Sequence, residues 1–298
     1  MRQVITQKDI EHYREMINQN KVQGAIAVYN KESFMNIQNL CRLAVLFLPL
    51  AACAPNSNIS EYKENPSIYT APDTVGTLGG QQIRLSDYQT DGATYEDTPT
   101  AFDERWKTYQ SPPRTLQSKL KDLWIYVNVE TGKINDLRKT SVDRFLNERD
   151  QPNTPWVSIR IVGLDFQPEE DWLDKKVSDN LKGLMAWGMD WHPYRKTENK
   201  KYGLQVYLNE GVDSGTGKSS TFYTLKDKKN HVRTLIYCSN QNVPNPPCDH
   251  EIFLSDKRIR FNIGYNRGRL KDWKKIEDLA KRYLDMFIDN AKHPERKL

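Results

Sequence analysis

The stretch HEIFLSDKRIRFNIGYNRGRLKDWKKIEDLAKRYLDMFIDNA, residues 250 to 291, changes its hydrophobic period part-way along, and that change decides the fold class. HEIFL (250–254) and IRFNIGY (259–265) alternate apolar and polar residues, the period of a half-buried strand. From Leu270 onward the apolar residues Trp273, Ile276, Leu279, Ala280, Tyr283, Phe287 and Ile288 recur at helical spacing, with Lys274, Lys275, Asp278, Lys281, Arg282 and Asp285 on the opposite face. Strands followed by a strongly amphipathic helix over 270–291 predict a helix that closes the core by lying across a sheet. A helix lying on a membrane surface is the competing reading, and the mixed charge of the polar face speaks against it.

Upstream of this stretch, GLQVYLN (203–209), STFYTL (220–225) and VRTLIY (232–237) alternate in the same way across turn-rich links, which predicts an antiparallel meander. Further back, LWIYVNV (123–129) sets Leu123, Ile125, Val127 and Val129 on one face, and VSIRIV (157–162) repeats the pattern. Pro168 with Glu169, Glu170 and Asp171 reads as a helix start, because proline suits the first turn and acids suit the positive end of the helix dipole. That helix is expected over about 169–187, with Leu173, Val177, Leu181 and Leu184 on one stripe. A short helix is expected at 116–120, and order is expected to begin at Gln81 in QQIRLSDY, with Tyr95, Phe102 and Trp106 as aromatic anchors. The fold class is therefore α+β, mainly antiparallel sheet with a long C-terminal amphipathic helix packed on it. An N-terminal α+β half (81–190) and a C-terminal α+β half (203–298) meet at a link around Gly188 to Gly203. Whether they form two domains or one sheet stays open at this point.

MNIQNLCRLAVLFLPLAAC, residues 35 to 53, indicates a compartment. Arg42 precedes an apolar run from Leu43 to Leu50 that is too short for the roughly 20 residues of a spanning helix, and it ends in Leu50-Ala51-Ala52-Cys53, the bacterial lipoprotein pattern. Residues 35–52 read as a signal peptide and Cys53 as the lipidated residue. Pro49 argues against a buried core helix, whose hydrogen bonding it would break. Ala54, in place of Asp, points to the outer membrane, periplasmic face. Residues 53–80, rich in Asn, Ser, Pro, Thr and Gly, read as a flexible tether. Residues 1–34 sit in front of a segment that ordinarily begins a protein. Either Met35 is the start, or 1–34 is a cytoplasmic extension of an uncleaved anchor.

The charge balance, 44 Lys and Arg against 39 Asp and Glu, lacks the clustered basic footprint of a nucleic-acid binder. Contact with a membrane is expected through the lipid alone. Of the four cysteines, Cys41 belongs to the signal and Cys53 to the lipid. Cys238 and Cys248 flank CSNQNVPNPPC, whose prolines stiffen a turn, and in an exported chain they are expected to form a disulfide. Buried free thiols are the alternative. Asp249 and His250 beside them do not complete the four-ligand spacing of structural zinc, so no metal or cofactor is expected.

Catalytic signatures fail one by one. Gly211 to Ser219 (GVDSGTGKS) resembles a phosphate loop out of register, with Val212 where the first glycine belongs, and lies between two strands instead of before a helix. His192, His231, His250 and His293 show no metalloprotease spacing, and no serine sits in a GxSxG elbow. Glu169 and Glu170 are explained as helix-start residues without a glycosidase role. MAWGMDWHPYRK (185–196) is more suggestive: Trp187, Trp191, Tyr194 and Arg195 have the composition of interface hot spots and are the partner-binding candidates. The alternative is that the tryptophans plug the core beneath a loop.

The run Cys248-Asp249-His250-Glu251-Ile252-Phe253-Leu254, with Ile259 to Tyr265 and then Arg269-Leu270-Lys271-Asp272-Trp273-Lys274-Lys275-Ile276, resembles the ending of lipoprotein immunity proteins that accompany type VI secretion lipase effectors. Gln81 to Trp106, with Tyr88, Asp91-Gly92, Tyr95 and Thr98-Pro99, is similar to their mature N-terminal region. The resemblance implies a periplasmic tethered protein that neutralises an incoming phospholipase toxin by binding it, with no catalysis of its own. A cell-envelope enzyme or assembly lipoprotein acting on peptidoglycan or lipid is the second expectation.

Overall fold

The computed structural model describes residues 73–100, 102–137, 142–182, 194–209 and 220–296, all within one compact unit, Glu61–Leu298. In chain order its strands are β1 (Thr74–Leu78), β2 (Gln81–Leu85), β3 (Gly92–Tyr95), β4 (Lys119–Asn128), β5 (Lys133–Ile134), β6 (Trp156–Gly163), β7 (Arg195–Lys201), β8 (Leu204–Leu208), β9 (Ser220–Lys226), β10 (Val232–Ser239), β11 (Pro247–Leu254) and β12 (Ile259–Asn266). Its α-helices are α1 (Val142–Arg149), α2 (Trp172–Leu181) and α3 (Trp273–Lys292).

The described strands join in one sheet, ordered β2-β1-β4-β6-β12-β11-β10-β9-β8-β7, with β3 and β5 also paired to β4. Pairing is antiparallel except for the short parallel contact of β1 with β4, Thr77 opposite Lys119 and Leu78 opposite Leu120. The seam between the two predicted halves is β6 against β12, with Phe261 opposite Ile161 and Ile263 opposite Ile159. Two apolar strands lie side by side at the centre of the sheet, and each supplies the other's backbone partners.

One sheet face carries Leu123, Ile125, Val127, Ile159, Ile161, Phe261, Ile263 and Ile236, all essentially buried, and α3 covers it with Trp273, Ile276, Leu279, Ala280, Leu284 and Phe287. The α+β class and the packed C-terminal helix are thus as the periodicity predicts. The helix proper begins at Trp273, because Arg267–Asp272 form a 3-10 turn opened by the Asn266 side chain, which accepts from the Gly268 N–H at 2.7 Å. On the opposite face α2 lays Leu173 and Val177 on Phe222, Leu235, Tyr207 and Phe253 in a second, smaller cluster. On that face too, Phe145 of α1 packs edge-on against Tyr126 and Trp156, centroids 5.0 and 5.1 Å away.

Several elements depart from expectation. Residues 116–120 do not make a helix. Lys119 and Leu120 instead open β4, since Leu120 is buried beside β1 and its backbone is taken up in pairing. Thr74–Leu78, placed by composition in the tether, is a strand whose Leu78 reaches the core. Its hairpin to β2 turns on Gly79 and Gly80, at φ of 57° and 86°, where a side chain at Gly79 would stand 2.5 Å from the Arg258 carbonyl. Of the three expected anchors Tyr95 is buried, whereas Phe102 and Trp106 are exposed.

Candidate partner-binding surfaces

The sequence candidates separate when placed on the fold. Cys53, Trp187 and Trp191 lie outside the described residues, as does the glycine-rich segment 211–219. Tyr194 is only 4% exposed. Its ring packs edge-on against Phe222, centroids 4.6 Å apart, and its hydroxyl bonds the Ser220 hydroxyl, so it serves the second core cluster instead of presenting a surface. Arg195 is exposed at the start of edge strand β7. Cys238 and Cys248 are disulfide-bonded and fully buried, facing each other directly across β10 and β11 with their Cα atoms 4.1 Å apart.

His250, which belongs to no histidine motif, anchors a buried network. Its Nε2 lies 3.1 Å from Glu277 Oε1 on α3 and its Nδ1 3.3 Å from the Tyr265 hydroxyl, while Thr234 donates to Glu277 Oε1 at 2.6 Å and Lys281 to Oε2 at 3.2 Å. Burial alone would raise the Glu277 carboxyl, but the His250 and Thr234 contacts and the Lys281 charge outweigh it and hold it below its ordinary value. Burial drives the Tyr265 phenol well upward. His250 is buried, and the network pins helix to sheet. Among the described residues no three His, Cys, Asp or Glu side chains converge as a metal site.

A different character appears on the sheet face turned away from α3, where β4, β6, β12 and β11 run side by side. Alternation brings Asp122, Trp124 and Tyr126 of β4, Arg160 of β6, Arg260 and Asn262 of β12, and Glu251 of β11 to this face. One row across the strands reads Trp124, Arg160, Asn262, Glu251. Arg160 donates to Asp122 Oδ2 at 2.5 Å and stands 5.2 Å over the Trp124 ring. Glu251 pairs with Lys176 of α2. Four side-chain atoms here, Asp122 Oδ1, Glu251 Oε1, Arg160 Nε and Arg260 Nε, are buried without a hydrogen-bond partner among the described residues. Leaving such groups unpaired costs about 1–3 kcal/mol each. Beside them Trp124 and Tyr126 are partly exposed, as is the Arg160 side chain.

At the Asp122 end of β4, the chain between β3 and β4 leaves the sheet as a long excursion, closed at its base by the Glu96 N–H donating to the Lys119 carbonyl at 3.0 Å. It carries Phe102, 99% exposed, and Trp106, 48% exposed. Neither this display nor the polar face was visible in the sequence as a site. Aromatics in a turn-rich stretch read equally well as anchors, and the face residues are ordinary out-facing positions of strands.

No protein-family model matches the chain. No curated protein matches it. Two solved structures match the chain at low similarity. One is Smlt3025, an immunity protein of the Stenotrophomonas maltophilia type IV secretion system, at 14% identity and TM-score 0.48, covering 72% of this chain and 92% of that one. The other is FrpD, an iron-regulated outer membrane lipoprotein of Neisseria meningitidis, at 9% identity and TM-score 0.37, covering 74% and 94%. Likeness at these values does not extend to what either protein binds. No helix among the described residues is long and apolar enough to cross a membrane.

Proposed function

We propose that the chain is a periplasmic, lipid-anchored immunity protein that binds and neutralises a phospholipase toxin delivered by type VI secretion. The binding part of this reading rests on one observation: the sheet face where partly exposed Trp124 and Tyr126 stand beside Arg160, whose guanidinium lies 5.2 Å over the Trp124 ring. Tryptophan, tyrosine and arginine are the residues that dominate interface energetics. The compartment is supported by the Cys53 pattern and the Cys238–Cys248 disulfide, which suits an oxidising environment. The toxin class rests on the resemblance of residues 81–106 and 248–276 to lipase immunity lipoproteins. Catalysis forms no part of the proposal.

The test is deletion of the gene followed by competition against the parent strain, with binding of the purified chain to the parent's delivered phospholipase measured alongside. Sensitivity to sister-cell killing and binding that weakens by about 2 kcal/mol, roughly thirtyfold, in Arg160→Ala are expected. Insensitive cells and absent binding would overturn the reading.

A further inference from the structure

Resting on that reading, we propose that the segment from Asp97 to Arg114 is the part of this chain that enters the toxin, lodging Phe102 and Trp106 in an apolar, concave cleft of the kind that holds an acyl chain. Three observations carry this. The first is exposure. Phe102, at 99%, is left bare by its own fold, and an apolar concavity in another molecule would remove its ring from water.

The second is order at the base. The Arg114 guanidinium stacks 3.8 Å over the Tyr95 ring, pairs with Asp97 at 2.8 Å and donates to the Tyr109 hydroxyl at 2.6 Å. Tyr95 in turn donates to the Val75 carbonyl of β1 at 2.9 Å, which ties the excursion to the sheet. Tyr109 lies parallel to Trp106 with centroids 6.5 Å apart. Trp106 sits in a 3-10 turn, Glu104–Lys107, capped by Asp103, whose carboxylate accepts from the Arg105 N–H at 3.0 Å and is clasped by the Arg105 guanidinium. A display built this way loses little conformational freedom on binding, and preorganisation of that sort favours affinity.

The third is charge. Residues 96–119 carry Glu96, Asp97, Asp103 and Glu104 against Arg105, Lys107, Arg114 and Lys119, and three pairs are joined: Arg114–Asp97, Arg105–Asp103 and Lys119–Glu96. A neutral, internally paired loop has no field to draw it to anionic headgroups, so an apolar protein cleft fits better than a bilayer surface.

The experiment complements cells lacking the gene with the unaltered chain, with Phe102→Ala/Trp106→Ala, or with Leu225→Ala/Val243→Ala as a control at exposed apolar residues elsewhere. Each strain is competed against the parent, and each purified chain is titrated against the parent's secreted phospholipase hydrolysing a fluorogenic phospholipid. The loop variant is expected to keep its thermal unfolding midpoint, to inhibit roughly ten- to a hundredfold less well per Phe or Trp side chain left unburied, and to lose protection, while the control retains both. Protection and inhibition by the loop variant equal to those of the unaltered chain would overturn the loop's role and leave the immunity reading standing. Failure of the unaltered chain to protect or inhibit would overturn both. Binding of the unaltered chain, but not the loop variant, to phosphatidylethanolamine–phosphatidylglycerol vesicles would reassign the loop to membranes and overturn the cleft.

Discussion

Replacing Glu277 by alanine should be among the most damaging single changes in this protein, though no sequence motif marks the residue. Its side chain is 9% exposed and joins α3 to two strands, through His250 on β11 and Thr234 on β10. Alanine removes the acceptor and leaves His250 Nε2 and the Thr234 hydroxyl without it. Orphaning each group costs about 1–3 kcal/mol, and breaking a buried pair costs about 3–5 kcal/mol, so a loss of about 3–5 kcal/mol is expected at pH 7. Glutamine keeps the shape and one acceptor oxygen and should lose only about 1–2 kcal/mol. The pH dependence separates charge from shape. The folded carboxyl is held below its ordinary value of 4.5, so the unfolded chain binds more protons as pH falls, and the stabilisation is full above that value and disappears as pH drops through the lower folded value. Urea unfolding followed by tryptophan fluorescence, repeated in steps from pH 7 down to pH 3, measures both effects. Glu277→Gln should flatten the acid limb of the stability curve. Glu277→Ala within about 0.5 kcal/mol of the parent, or an unchanged acid limb in Glu277→Gln, would refute the reasoning.

Reducing the disulfide, or replacing Cys238 and Cys248 by serine, should cost about 2–3 kcal/mol in the loop-entropy model, seen as a lower urea midpoint that reductant no longer shifts in the double variant. Gly163→Ala should destabilise by about 1–3 kcal/mol, because the added methyl would stand 2.6 Å from the Gly79 nitrogen in the β1–β2 turn; calorimetry reads the shift. Tyr194→Ala should lose about 3 kcal/mol of stability by emptying the second cluster beside Phe222, whereas a purely surface role predicts an unchanged melting temperature.

Elements whose hydrophobic period matches their burial were legible. IRFNIGY and VSIRIV each bury one alternate set under α3, and the helix face from Leu270 to Phe287 buries as its spacing predicts, while VRTLIY buries Ile236 in that core and Val232 and Leu235 in the second cluster. Elements held by pairing were not. Arg195–Lys201 is polar throughout and is a strand because β8 supplies its hydrogen bonds. Lys119 and Leu120 read as helix until β1 is placed beside them. Nothing in the sequence marks Glu277, which is buried because His250 and Thr234 meet it there. For the site, composition drew attention to Trp187, Trp191, Tyr194 and Arg195; it had no means of showing that Tyr194 turns inward or that Phe102 turns outward.

What the sequence determined by itself is local: periods of two and 3.6, the proline-stiffened turn between Cys238 and Cys248, the lipoprotein pattern at Cys53, and the absence of spaced catalytic motifs. These depend on neighbours within one turn or one strand. Tertiary structure alone decided that β6 and β12 close the two halves into one sheet, that Asp122, Arg160, Arg260 and Glu251 share a face, and that Phe102 stands clear of it. Those facts depend on strand register and on which side of the sheet α3 covers, and a one-residue slip in any strand would exchange its two faces.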